Sequence, residues 1–143
     1  MKKGLGVIVS VILIMLMAGC GDREPKVVCT SDATNNGMTI KQEYILKYSG
    51  KNITNVVVTK SYAFDNNDNF KTFGTVIDNT VSNMNEMKKE YITFTSTKEN
   101  KKYTTKLDVE MAKITDDELT KLGLSKELSK LEETLENQGL VCE

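Results

Sequence analysis

The side chains that could do covalent chemistry in this 143-residue chain are three cysteines, Cys20, Cys29 and Cys142. The chain has no histidine, which excludes Ser-His and Cys-His dyads and removes the usual general base of neutral pH. Its nine glycines are scattered and form no phosphate-binding loop. The residue types therefore predict a protein that is not an enzyme and holds no cofactor and no metal. A hydrolase that works with two carboxylates is a minor alternative.

Cys20 ends a segment that is typical of an exported precursor. Two lysines precede an uncharged, mostly apolar run, and the small residues Ala18 and Gly19 stand directly before the cysteine. This pattern predicts a lipoprotein signal peptide over residues 1–19 and transfer of a diacylglyceryl group to the Cys20 thiol. Met17 stands where such motifs usually carry Leu. The uncharged run from Gly4 to Gly21 is close to the roughly 20 apolar residues that a membrane span needs. An uncleaved membrane helix is therefore the alternative.

Lipidation would hold the mature chain on the extracytoplasmic face of the cell membrane through acyl chains such as palmitate, since each buried CH₂ contributes roughly 0.8 kcal/mol. The chain has 19 basic and 20 acidic residues, and the leader contains two of the lysines, so the mature chain is mildly acidic. It has no electrostatic reason to bind nucleic acid. The expected partners are the membrane and, beyond it, an envelope protein, peptidoglycan or a small apolar ligand.

The other two cysteines, Cys29 and Cys142, lie near the two ends of the mature chain. Their number is even once Cys20 is set aside, and disulfides persist outside the cytoplasm. We expect a Cys29–Cys142 disulfide, with two buried free thiols as the alternative. Zinc lacks a ligand set, because there is no histidine and no C-x-x-C pair.

Two segments carry acidic residues in patterns that could do chemistry. Asp65, Asn67 and Asn69 match the first ligand positions of an EF-hand, but Phe70 replaces its glycine and Val76 its bidentate glutamate, which favours a solvated turn. The run 116–118 favours a helix start over a catalytic cluster, because carboxylates complement the N-terminal end of the helix dipole.

Four strand tyrosines, Tyr44, Tyr48, Tyr62 and Tyr103, are the candidate ligand-binding residues. Amphipathic rings often line ligand grooves or partner surfaces. Most of these tyrosines lie on the predicted core face, so packing in the core with the hydroxyl at its rim is the competing interpretation.

The hydrophobic pattern predicts the elements that position these residues. A first strand is predicted over 27–31, followed by a turn over 31–37. Alternation with period two predicts strands over 39–48, 53–64, 91–97 and 103–112. Helical spacing predicts a central helix with Asp68 as its N-cap. Its apolar stripe is Phe70, Phe73, Ile77, Val81, Met84 and Met87. Thr115 and Glu118 have the form of a capping box, and Ser125 is expected to cap a last helix.

The element order β-β-β-α-β-β-α-α predicts an α+β fold, a mostly antiparallel five-stranded sheet with helices packed on one face. We expect a signal peptide over 1–19, a lipidated tether over 20–26 and a single α+β domain over 27–143.

The chain resembles the YehR-like family of small uncharacterised bacterial lipoproteins. The resemblance lies in Cys20 followed by Gly21-Asp22, the long central helix, the strand over 103–111 and a last helix ending in Gly139-Leu140. It implies the same fold order and brings no catalytic or ligand residues.

The sequence therefore predicts a membrane-anchored binding or interaction module. An envelope structural or assembly factor without a ligand pocket is the alternative. An apolar cleft between sheet and helices would favour the first, and a filled core with an exposed apolar patch would favour the second.

Overall fold

The computed structural model describes residues 24–143, so the predicted signal peptide, Cys20 and most of the tether lie outside its description. The strands are β1 (Lys26–Asn35), β2 (Met38–Ser49), β3 (Asn52–Phe64), β4 (Ile92–Glu99), β5 (Lys102–Glu110) and β6 (Val141–Cys142). The helices are α1 (Asn67–Glu86), α2 (Asp116–Leu122) and α3 (Leu128–Asn137). The predicted α+β class is confirmed.

All pairings in the sheet are antiparallel, and the strand order is β4-β5-β3-β2-β1-β6. The prediction of five strands was wrong, because residues 24–143 contribute six. The missing one, β6, has only two residues, and two residues are too few to show an alternating pattern. A short edge strand of this kind is visible only through its pairing with β1.

The first hairpin is tighter than predicted. Strand β1 continues through Asn35, and only Asn36 and Gly37 form the turn, both with positive φ (49° and 75°). Asn-Gly with this backbone matches the right-handed twist of the flanking strands. A side chain at Gly37 would also collide with the Asp65 carboxylate, so only glycine fits there.

The disulfide prediction agrees with the structure. Cys29 and Cys142 lie opposite each other on β1 and β6 with their Cα atoms 3.9 Å apart, and their sulfur atoms are at bonding distance. The neighbouring pair, Val28 and Glu143, exchanges both backbone hydrogen bonds (2.8 and 2.9 Å). The cysteines therefore occupy the non-hydrogen-bonded position, where antiparallel strands bring side chains closest.

The register divides the helix-facing side of the sheet into rows. One row is wholly apolar, and its members on β2, β3, β5 and β4 are 0% exposed: Leu46, Val56, Val109 and Ile92. Beside it lies a second apolar row: Cys29, Tyr44, Val58, Leu107 and Phe94. Leu119, Leu131 and Leu135 of α2 and α3 pack onto these rows and form the larger hydrophobic cluster.

The next row is polar, and we call it the polar row: Ser31, Gln42, Lys60, Thr105 and Ser96. Beyond it a smaller apolar cluster forms around Phe64, Ile77 and Tyr103. The polar row therefore separates two hydrophobic clusters on one sheet face, and α1 lies above this boundary.

The helix ends follow local chemistry, with two corrections. Thr115 and Glu118 form the predicted capping box, and α2 ends at Gly123 in the left-handed conformation (φ 67°). Asp68 is not the N-cap of α1, because the Asn66 side chain accepts the hydrogen bond from the Asn69 amide (2.8 Å). Ser125 accepts from the Glu127 amide (3.2 Å), so it stabilises the turn before α3 rather than capping the helix.

Candidate functional site

A cleft of about 270 Å³ lies between α1 and the helix-facing side of the sheet. Its floor is made by the second apolar row, the polar row and Tyr62, which lies beyond the polar row. The floor residues are Tyr44, Val58, Lys60, Tyr62, Phe94, Thr105 and Leu107. Its walls come from α1 and the end of α2. The wall residues are Val76, Ile77, Thr80, Val81, Met84, Lys121 and Leu122.

The cleft exists because α1 is only partly packed against the sheet. Of the 20 residues of α1, only Gly74 and Ile77 are buried. Val76 is 63% exposed and Phe73 39% exposed, although both are apolar. The surface beneath the middle of the helix is the polar row, and burying lysine and hydroxyl groups under an apolar stripe would cost free energy without new partners. The stripe of α1 is therefore left half covered.

The four candidate tyrosines divide into two pairs. Tyr44 and Tyr62 lie in the floor of the cleft, one on each side of the polar row. Tyr48 and Tyr103 are not among the cleft-lining residues. Tyr48 lies at the far end of β2, where the register with β3 shifts. The structure thus brings together two of the four residues that the sequence selected.

Tyr103 is buried in the smaller apolar cluster, outside the cleft. It is 2% exposed, and its ring contacts Phe64 and Phe70 with centroids 6.5 and 5.3 Å away. Its hydroxyl is buried, has no hydrogen-bond partner in residues 24–143, and points at α1 beside Gly74. An alanine Cβ at Gly74 would lie 2.8 Å from this oxygen. Gly74, which weakens an isolated helix, is therefore where α1 approaches the sheet.

Lysines provide the charged groups of the cleft. Lys60, from the polar row, is half-buried, and its ammonium lies 5.8 Å from the centroid of the Tyr44 ring. Lys121 forms an ion pair with Asp117 (2.8 Å). Lys60 and Thr105 were missed by sequence reasoning. The only available signal was Gln42, a polar residue on an apolar strand face that turns out to be the register neighbour of Lys60.

A second polar cluster, outside the cleft, surrounds Glu118. Its carboxylate accepts hydrogen bonds from Lys89 Nζ, from Tyr91 Oη (3.1 and 3.2 Å) and from the Thr115 amide (3.0 Å). The Lys89 ammonium, followed by the Thr115 amide, lowers the pKa of Glu118 to about 2. Both oxygens of the carboxylate accept hydrogen bonds from other residues of the protein. The cluster therefore has a structural role and holds α2 against the residues that precede β4.

We expect Glu118 to make stability depend on pH in the acid range. The folded-state pKa of Glu118, about 2, lies below the ordinary value of 4.5. The carboxylate therefore binds a proton more tightly in the unfolded chain than in the folded one. Its contribution is complete above pH 4.5 and is lost as the pH falls towards 2. Glu118→Gln should therefore lower the urea midpoint at pH 7 and flatten the decline of stability below pH 4.5, as urea titrations across pH would measure.

The matched control is Glu133→Gln, at an exposed glutamate of α3. It should leave both the midpoint and the acid decline unchanged. Equal pH profiles for Glu118→Gln and the unsubstituted chain would show that the cluster does not couple folding to protonation.

The segment that partly matches an EF-hand starts α1. Asn66 Nδ2 donates to the Asp65 carboxylate (2.8 Å), and the Asn66 oxygen caps the helix. Within residues 24–143, no three acidic or cysteine side chains are grouped to hold a metal ion. In the same residues no helix has the length and apolar character needed to cross a membrane.

The comparisons with known proteins bear on the fold alone. No family model matches the chain, and no curated protein is significantly similar to it. A protein from Streptococcus pneumoniae TIGR4, solved by NMR, is similar in structure with a TM-score of 0.50 and 12% sequence identity. The similarity covers 85% of this chain and 86% of that one. The resemblance to YehR-like lipoproteins stays a prediction.

Proposed function

We propose that this protein is a lipid-anchored, extracytoplasmic binding module without catalytic activity, and that its cleft takes a small apolar ligand. The observation that carries the proposal is the open space between α1 and the sheet. A folded core normally fills such space to the density of an organic crystal. Here an apolar cleft of about 270 Å³ is left beside an exposed apolar helix residue, Val76.

The composition of the lining supports a ligand of this kind. Ligand sites are mostly apolar with a few convergent polar groups, and this cleft has aliphatic and aromatic walls with two tyrosines, two threonines and two lysines. The absence of histidine supports binding without catalysis. Membership of the YehR-like family and the anchor at Cys20 belong to the same proposal. A structural factor without a ligand remains the alternative if the cleft binds nothing.

The test uses the full-length chain in lipid nanodiscs and the neutral fluorescent probe N-phenyl-1-naphthylamine, with empty nanodiscs as the blank. Thr105→Phe would fill the cleft. The matched control is Thr104→Phe, the preceding residue of the same strand, whose side chain points to the opposite sheet face. We expect Thr105→Phe to weaken probe binding at least about tenfold, which corresponds to about 1.4 kcal/mol, and Thr104→Phe to leave it unchanged.

Circular dichroism would establish that both variants are folded. Equal probe binding by the two variants and the unsubstituted chain, or no binding above the blank, would contradict the proposal.

A further inference from the structure

None of the polar groups in the cleft is acidic, and most can donate a hydrogen bond to a ligand. The donors are the ammonium groups of Lys60 and Lys121 and the hydroxyls of Thr105 and the two tyrosines. The Thr80 hydroxyl already donates to the Val76 carbonyl (3.0 Å). The chain as a whole has 20 acidic and 19 basic residues. A lining with two lysines and no carboxylate therefore differs in sign from the rest of the molecule and is complementary to an anionic group.

Of the two lysines that line the cleft, Lys60 is the one without an ion-pair partner among residues 24–143. Its register neighbours are Gln42 on β2 and Thr105 on β5, both uncharged. None of the carboxylates in residues 24–143 lies within ion-pair distance of it. Lys121, in contrast, already pairs with Asp117. A half-buried ammonium among apolar walls is hydrogen-bonded more strongly to an anion than to a neutral group.

The apolar lining and the volume of the cleft indicate the chemistry and the size of the rest of the ligand. Its floor beside Lys60 is aliphatic and aromatic, with Val58, Phe94 and Leu107 each less than 10% exposed. The volume of about 270 Å³ lies just below the range of small-molecule sites, roughly 300–1,000 Å³. This size suits one aliphatic chain and is too small for a two-chain lipid.

Resting on the proposed function, we infer that the ligand is a free amphipathic anion: a single aliphatic chain that ends in a carboxylate, with the carboxylate at Lys60. The chain packs between α1 and the apolar row that includes Val58 and Leu107. The ammonium of Lys60 and the Thr105 hydroxyl donate to the carboxylate. The occupant is a free long-chain carboxylate and not a phospholipid of the surrounding bilayer.

The experiment compares two photoreactive probes on the full-length chain in nanodiscs of zwitterionic lipid. One is a long-chain carboxylic acid with a diazirine in its chain, and the other is the matching alcohol. Mass spectrometry of the digested protein locates the labelled peptides. The variants are Lys60→Met, Lys60→Arg and, as the matched control, Lys106→Met, an exposed lysine on the opposite face of the sheet.

We expect the acid to label the α1 and β5 peptides about tenfold more efficiently than the alcohol, since hydrogen bonds to a charged group discriminate by at least that factor. Lys60→Met should reduce this ratio to about one, while Lys60→Arg and Lys106→Met preserve it.

Other results overturn the inference in distinguishable ways. Equal labelling of the cleft by acid and alcohol would refute the anionic head group but leave the proposed function intact. Acid labelling that disappears when anionic phospholipid is added to the nanodisc would assign the cleft to a bilayer lipid. No labelling of α1 or β5 by either probe would refute both the inference and the proposed function.

Discussion

Replacing Cys29 and Cys142 with serine is expected to lower the free energy of unfolding by about 4–5 kcal/mol. The two cysteines are 113 residues apart in sequence, so the bridge closes almost the whole described chain into one loop and removes that much conformational freedom from the unfolded state. Strand β6 has only two residues. Without the covalent bond, a few backbone hydrogen bonds and the packing of residue 142 against the core hold it at the edge of the sheet.

Urea denaturation of the full chain, with and without a reductant, measures this effect. The reductant should lower the stability of the unsubstituted chain to that of the double serine variant and should not change the variant itself. If the reductant does not change the stability of the double serine variant, an effect of the reductant on Cys20, which both proteins contain, is excluded. Val141→Ser, at an exposed residue of β6, should change stability little. A double variant within 1 kcal/mol of the unsubstituted chain would show that the bridge does not stabilise the fold.

Gly74→Ala is expected to destabilise the protein by about 1–3 kcal/mol, the usual cost of overpacking, although alanine is the better helix former by up to about 1 kcal/mol. The new Cβ would lie 2.8 Å from the Tyr103 hydroxyl and 3.6 Å from two of its ring carbons. That ring is buried among Phe64 and Phe70 and cannot swing away. Helix α1 must therefore shift, which would also change the cleft.

A double-mutant cycle with Tyr103→Phe tests this explanation. The single Tyr103→Phe change removes a buried hydroxyl that forms no hydrogen bond within the described residues and keeps the ring beneath the Lys98 ammonium, so it should leave stability equal or slightly higher. In that background Gly74→Ala should become neutral or stabilising. Asn79→Ala, on the exposed side of α1, measures the gain from helix propensity alone. An equal loss from Gly74→Ala in both backgrounds would show that the hydroxyl contact is not the cause.

Local patterns in the sequence were sufficient for most of the fold. Alternation located β2 to β5, and the capping box at Thr115 and Glu118 located α2, because these signals depend on residues close together in the chain. Only the first half of β1 was predicted as a strand. The sixth strand depends on a pairing between residues 113 positions apart. The even cysteine count predicted the covalent bond, but no periodic pattern could show that the bonded residues also pair as strands.

The site was less accessible from sequence. Face assignment placed Tyr44 and Tyr62 on the inner side of the sheet, which is where they lie. Lys60 was not selected, because only the register of β2, β3 and β5 shows that it belongs to a row that also contains Gln42 and Thr105. The apolar stripe of α1 was predicted from its spacing, but its partial exposure follows from the polar row beneath it rather than from the helix itself.

NMR can show whether the cleft under α1 is a ligand site. Two-dimensional ¹H–¹⁵N spectra of the full chain in nanodiscs would be recorded during titration with dodecanoic acid and, separately, with dodecanol. We predict that the amide signals of Thr80, Thr105 and Leu122 shift in a saturable way while those of Asp32 and Lys47 stay fixed. Spectra in which the cleft amides do not move with either ligand, or in which shifts are confined to residues outside the cleft, would contradict the proposal that the cleft is a ligand site.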